Sequence, residues 1–266
     1  MIKVAPRNSY TTGYLGLINC TDEQYFADPG INNSGLTTIK NKSPYHFHML
    51  KRYDNKTTPA LRIGSLVHAL VLESPPLDDF PVFDGASFKS KAGAEFLEAN
   101  KNSVLKSELE KAQKIVKYAS EQNDLISNLQ EKAQHKEVSV FVDRMGFRAK
   151  AKADAIYHSE KGGIIWDVKT TEDLFDFVWS CRKYGYHMQR AWYMELFQLQ
   201  MKRKMEYRLL VIEKKYPYSV VEYNFSDRVN AAGRRAMEEA FASYTHCEMS
   251  GVWIKPDTNI TLDWRP

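Results

Sequence analysis

The stretch Ala151–Thr171, AKADAIYHSEKGGIIWDVKTT, constrains this chain more than any other. Two runs with strand-forming residues, Phe147–Tyr157 (Phe147, Ile156, Tyr157) and Gly163–Val168 (Ile164, Ile165, Trp166, Val168), flank a polar segment, His158–Gly163, that ends in two glycines. Runs of this composition bounded by turn residues read as strands, and glycine supplies the positive φ that a tight reversal needs. The stretch therefore predicts a hairpin on which Asp154 can face Asp167. Side chains alternate along a strand, so Asp167 and Lys169 share one face while Val168 points into the core.

Two carboxylates and a lysine converging at a strand end suit metal-assisted cleavage of a phosphodiester. Carboxylate oxygens hold a hard cation, and Mg²⁺ takes only one or two protein carboxylates and fills its other positions with water and phosphate. A lysine beside them can orient or deprotonate the attacking water, or neutralise charge developing on phosphorus. Taken alone, D-x-K more often means an exposed ion pair on a surface hairpin, worth about 0–1 kcal/mol. The residues that accompany it decide between the two.

Those residues come from both directions. Upstream, Thr58–Pro76 carries Leu66, Val67, Leu70 and Val71 at helical spacing, and Pro75-Pro76 ends the run. His68 lies in the middle of this apolar helix. It is either a core histidine bonded to a carbonyl or a third metal ligand, since neutral imidazole binds divalent ions. Gly64 and Ser65, one turn earlier, would let a phosphate or another backbone come close. Glu137 opens an alternating strand (Val138, Val140, Val142) and either brings a further carboxylate to the site edge or ends a strand in water. Downstream, Tyr186 starts a long amphipathic helix on which Gln189 and Tyr193, four apart, share a face.

The rest of the chain supplies the frame. Residues 1–33 read as an irregular arm, broken at Asp28-Pro29-Gly30. Ser34 and Ser43-Pro44 look like the starts of two short helices. His46 and His48, two apart, would fall on different faces of the second and read as ordinary histidines. Residues 77–100 have loop character, and a helical region runs from about Glu95 to Gln134. A helix over Leu174–Tyr184, strands at Arg208–Lys214 and Ser219–Phe225, and a closing helix at Asp227–Cys247 follow. Arg228, Arg234 and Arg235 lie on exposed sides of that helix, and the tail ends at Trp264-Arg265-Pro266. The expected organisation is a single domain over 1–266. It comprises an arm (1–33), a mainly helical part carrying His68 (34–134), a catalytic sheet with the Gln189/Tyr193 helix (135–225), and a C-terminal helix and tail (226–266).

Composition closes off several classes. With 43% hydrophobic and 12% aromatic residues the chain can bury a sizeable core, which argues against disorder. A formal net charge of +4 suits a polyanionic ligand without requiring one. Cys20, Cys181 and Cys247 are dispersed and too few for an iron–sulfur cluster or an all-cysteine zinc site, and unpaired cysteines suit a reducing cytosol. Met1-Ile-Lys-Val opens without an apolar leader and no 18-residue apolar run follows, so neither a secretory signal nor a membrane span is expected.

In order along the chain stand SGL…SPYHF, TPALRIGSLVHALVLES, KADAIY, WDVKTT and YGYHMQRAWY. With these pieces the chain resembles, over nearly its whole length, the RecB-like branch of the PD-(D/E)xK nucleases, and within it the RecE-like prophage exonucleases (the exonuclease VIII type). The resemblance implies an α/β (α+β) fold, a central mixed sheet flanked by helices. It implies Asp154, Asp167, His68 and the Val168 carbonyl as ligands to one or two Mg²⁺ ions, with Mn²⁺ a possible substitute, and Lys169 as the catalytic lysine. Gln189 and Tyr193 would contact phosphate. Asp167 stands where many relatives carry Glu, one methylene longer. The implied activity is processive 5′→3′ degradation of one strand of duplex DNA from an end, in a cytoplasmic, prophage- or phage-encoded protein. The implied assembly is a homo-oligomeric ring, a toroidal tetramer, working beside a RecT-type annealing protein. Further DNA contacts are expected from Ser65 and, at phosphates, from Arg62, Lys150, Lys152 and Arg182. A structure-specific or restriction-type endonuclease on the same core and a catalytically silent DNA-binding module are the alternatives.

Overall fold

Val138, Val140 and Val142 face one core, and across the strand pair they meet Ala153, Ala151 and Ala149. A row of small residues leaves room for a large one, and Trp192 fills it, fully buried, with its indole N–H donating to the Lys150 carbonyl at 3.0 Å. The rest of the fold is built around this valine–alanine pairing.

The computed structural model describes residues 4–5, 11, 13–50 and 58–256. First come β1 (Gly16–Ile18), α1 (Asp22–Ala27), α2 (Asn33–Asn41), α3 (Pro44–Leu50) and α4 (Pro59–Leu72). Then follow β2 (Val82–Phe83), α5 (Lys91–Ala99), β3 (Val104–Leu105), α6 (Lys106–Gln122) and α7 (Leu125–Lys132). The sheet region holds β4 (His135–Arg144), β5 (Phe147–Ser159), β6 (Gly162–Thr171), α8 (Phe177–Tyr184), α9 (Tyr186–Met201), β7 (Met205–Glu213) and β8 (Val220–Tyr223), and α10 (Asp227–Ser250) closes it.

Six strands form one mixed sheet in the order β1-β4-β5-β6-β7-β8, antiparallel at every step except the parallel β6/β7 pair. Parallel neighbours need a crossover, which α8 and α9 supply. Helices cover both faces. Phe47, Trp192, Leu196 and Phe241, from α3, α9 and α10, pack one core; Leu66, Ile115, Leu129 and Trp166, from α4, α6, α7 and β6, pack the other. The expected mixed sheet flanked by helices is the observed fold.

Four local expectations are revised. The arm is not wholly irregular: β1 pairs with β4 and Ile31 bridges to Ala149, contacts too short to show any period in sequence. The cap of α2 is Asn32, whose side chain accepts from Gly35 N–H at 2.9 Å, not Ser34. The loop-like 77–100 segment includes β2 and all of α5, and the helical region after it is broken by β3 and again at Asn123. The hairpin turns at Glu160-Lys161, and both glycines lie in β6. Gly163 serves close packing instead: a methyl there would lie 2.6 Å from the Tyr157 carbonyl. The tail residues Trp264-Arg265-Pro266 lie outside the described residues.

Candidate active site

β5 and β6 part company at the two aspartates. Their last pair is Ala155 with Trp166, while β6 stays beside β7 as far as Thr171 and Glu213. Where the next rung would come, the Asp154 carboxylate accepts from Val168 N–H at 2.6 Å, standing in for the strand carbonyl that has moved away. Opposite Asp154, Glu137 has φ +55° inside a strand, a left-handed backbone that a side chain with a Cβ rarely adopts. The alternation resets here: Ala153 packs in the α9 core, and Ala155, two residues on, packs in the α4 core. Both acids are thereby turned out of the regular pattern.

α4 brings the imidazole. Thr58 caps its start with Pro59 at the first position, and the helix ends at Leu72 with Glu73 left-handed. At Gly64 it lies against β6, where a methyl would sit 3.2 Å from the Thr170 hydroxyl. This sets His68 Nε2 3.1 Å from Asp154 Oδ2 and Nδ1 3.5 Å from Glu137 Oε1. On the other side of the parting, Lys169 Nζ lies 2.6 Å from Asp167 Oδ2, and Gln189 Nε2 donates to Asp167 Oδ1 at 2.8 Å. Asp167 is 1% exposed.

The electrostatics follow from burial set against these partners. Burial pushes the Asp154 carboxyl up, but His68, Lys169 and the Val168 N–H outweigh it and hold it at about 2. Burial raises Asp167, and Lys169 only partly offsets that. Glu137 is likewise raised by burial, against the pull of Lys152. For Lys169 and His68, burial disfavours the charge, yet the neighbouring carboxylates win and raise both. Lys169 is thus a firmly held cation, better suited to neutralising charge than to removing a proton.

His68, Glu137 and Asp154 each offer a ligand atom, all within 4.8 Å of one another. One imidazole nitrogen with carboxylate oxygens is a donor set that fits Mg²⁺ or Mn²⁺. Of the two sequence readings of Glu137, the geometry matches the site-edge one. Asp167 borders this cluster and is turned towards Lys169 and Gln189. The site opens on a cleft of ≈ 740 Å³ whose lining includes Leu61, Gly64, Ser65, His68, Val168 and Lys169.

The other residues named from sequence divide sharply. Ser65 is exposed on the cleft, and Arg182 is exposed on α8. Gln189 and Tyr193 are buried, and Gln189 contacts Asp167, a position from which it orients a carboxylate. Arg62 does not line the cleft and is held in a two-bond pair with Glu108 at 2.7 and 2.8 Å. Lys150 is buried and donates to the Tyr25 and Asp28 carbonyls, both at 2.6 Å. Lys152 pairs with Glu137 and, at 2.7 Å, with Asp22. The cationic rungs of β5, Arg148, Lys150 and Lys152, therefore all engage the arm around α1. Sequence reading missed Asp22 and Tyr186, whose ring centre lies 5.4 Å from Lys169 Nζ. Tyr186 could have been found in YGYHMQRAWY; nothing local marks Asp22.

A mixed sheet whose central strands separate at an aspartate and a D-x-K, with a helix supplying histidine, is an arrangement of the PDDEXK-like class. Residues 39–258 match the family described as a PDDEXK-like domain of unknown function (DUF3799), and the chain belongs to that family. Among solved structures it is similar to a Eubacterium rectale protein described as a "Putative exonuclease", with 16% identity and a TM-score of 0.59 over 90% of this chain and 96% of that one. The structure of SSO0001 aligns over 78% of this chain and 84% of that one at 14% identity, with a TM-score of 0.27 that does not establish a shared fold. No curated protein matches the sequence. Among the described residues no helix is long and apolar enough to cross a membrane.

Proposed function

We propose that this chain is a metal-dependent exodeoxyribonuclease of the RecE-like kind. It would degrade one strand of duplex DNA 5′→3′ from an end and leave a 3′ overhang for strand annealing. The observation that carries the reading is the convergence of His68, Glu137, Asp154, Asp167 and Lys169 where β5 and β6 separate. The description of the Eubacterium rectale neighbour as a "Putative exonuclease" points the same way.

Bound here, a divalent cation would supply a nucleophilic water at neutral pH and draw charge from the phosphate oxygens. His68, Glu137 and Asp154 would hold it, with Asp167 and the Val168 carbonyl at its edge. Lys169 holds a positive charge against Asp167 on the cleft wall, ready to stabilise a phosphorane as it forms. Gln189 fixes the rotamer of Asp167, and α4 presents Ser65 to the incoming backbone. Phosphodiester hydrolysis is slow enough uncatalysed to ask for the upper part of the roughly 8–23 kcal/mol that enzymes supply. A ring of subunits around the duplex, with a RecT-type annealing protein as partner, completes the proposal.

The test is digestion of linear duplex labelled at its 5′ or 3′ ends, with Mg²⁺, beside a closed circle and the Lys169→Ala variant. Loss of the 5′ label from linear DNA only, absent in the variant, supports the reading. Cutting of the circle indicates an endonuclease, and no cutting at all a silent module.

A further inference from the structure

α8 carries an uncovered ridge. The helix buries only Phe177, while Val178 is 64%, Trp179 69% and Tyr184 51% exposed, and Phe175 just before it is 94% exposed. Trp179 borders two depressions, one of them a shallow groove of ≈ 840 Å³ that it lines with Asn41, Arg182, Lys183 and Tyr184. Asp176 is the one carboxylate in that groove. The Asn41 side chain donates to the Lys183 carbonyl at 3.2 Å and so ties the end of α8 to α2.

The ridge is continuous with the active-site cleft. Lys169 Nζ lies 5.4 Å from the centre of the Tyr186 ring, Tyr186 and Tyr184 have ring centres 6.0 Å apart, and Lys183 Nζ lies 5.4 Å from the centre of the Tyr184 ring. Tyr184 and Tyr186 both line the cleft itself. Aromatics alternating with cations along one path meet the two needs of an unpaired polynucleotide: π-faces for its bases and positive charge for its phosphates. Arg182 and Lys183 stand beside these aromatics with Asp176 the one carboxylate in the groove, a positive balance that complements a phosphate backbone.

We infer that the α8 ridge is a single-strand binding surface. Unpaired polynucleotide leaving the cleft stacks its bases on Tyr184 and Trp179 and sets its phosphates against Lys183 and Arg182. This rests on the nuclease reading above.

The test is fluorescence anisotropy of a labelled oligothymidylate of about 12 nucleotides, within the usual single-strand site size, in chelator so that nothing is cut. Wild type is compared with Trp179→Ala and Trp179→Phe, each checked for an unchanged circular dichroism melt. Trp179→Ala should bind the single strand roughly 5- to 150-fold more weakly, the range for one lost base stack. Trp179→Phe should recover most of that, and a blunt hairpin duplex should bind all three alike. Unchanged single-strand affinity, or an equal loss for duplex, overturns the inference. So does a change in sedimentation without a change in binding, which would make the ridge a contact between copies of the chain. Digestion by wild type alone tests the nuclease separately. A wild type that binds single strands but cuts nothing removes the nuclease and leaves the surface standing as a single-strand site; one that cuts while Trp179→Ala binds normally does the reverse.

Discussion

Gly233→Ala sets two effects of opposite sign against each other. Gly233 is buried in the second turn of α10, where it touches the start of α9. In a helix interior alanine is favoured over glycine by about 1 kcal/mol, so propensity alone predicts a more stable protein. A methyl at this position, however, would lie 2.2 Å from the His187 carbonyl oxygen and 2.6 Å from its carbon. That is more than 1 Å short of ordinary contact, and a backbone atom cannot rotate aside. Overpacking of this kind costs about 1–3 kcal/mol, and a backbone obstacle puts the cost at the upper end, about 3 kcal/mol. The net expectation is a loss of about 2 kcal/mol, or a melting temperature about 4–8 °C lower in a chain of this size. His187 stands two residues before Gln189, so whatever movement of α9 relieves the clash also shifts the 2.8 Å hold on Asp167. Thermal melts followed by circular dichroism, with digestion assayed well below the transition, read both consequences. A variant that melts at or above wild type would refute the packing argument. One that is destabilised yet fully active at low temperature would refute the link to Asp167.

Three further perturbations bear on the site and its support. Asp154→Ala, Asp167→Ala and Lys169→Ala should each abolish Mg²⁺-dependent digestion while leaving a cooperative melt; retained digestion in any two would sink the assignment, and Ca²⁺ should support DNA binding without cleavage. Gln189→Leu should weaken Mn²⁺ binding or activity by about 10–100-fold, as loss of a carboxylate's orienting partner usually does, and calorimetric titration of Mn²⁺ would show it. Arg148→Ala should cost about 3–5 kcal/mol in urea denaturation, because the Asp28 side chain, fully buried, would lose the guanidinium that meets both its oxygens; a loss under about 1 kcal/mol, the range of an exposed pair, would contradict that picture.

What the sequence made legible was local. The alternation of Val138, Val140 and Val142, the spacing of apolar residues around His68, and the separation of Gln189 from Tyr193 are periodicities, and period sets which face a side chain takes. Partnership is not local. Arg62 and Lys150 read as cations for a polyanion because their counterparts, Glu108 and the carbonyls of Tyr25 and Asp28, lie 46 residues or more away along the chain. β1 was hidden because three residues cannot display a period of two. Glu137 was balanced between two readings because what brings it to the site is a backbone φ of +55°, which no residue pattern around it announces.

The alternating FRAKAKADA of β5 has one more implication. Its alanines receive α9, while Arg148, Lys150 and Lys152 grip the segment from Asp22 to Asp28 on the opposite side of the strand. A fragment trimmed to begin after that segment would take from Arg148, Lys150 and Lys152 their partners at Asp28, Tyr25 and Asp22, leaving Lys152 its pair with Glu137. Such a fragment would adhere to any polyanion, heparin or nucleic acid alike, with the steep salt dependence of non-specific capture. Affinity measured on it would report a surface that the longer chain keeps covered.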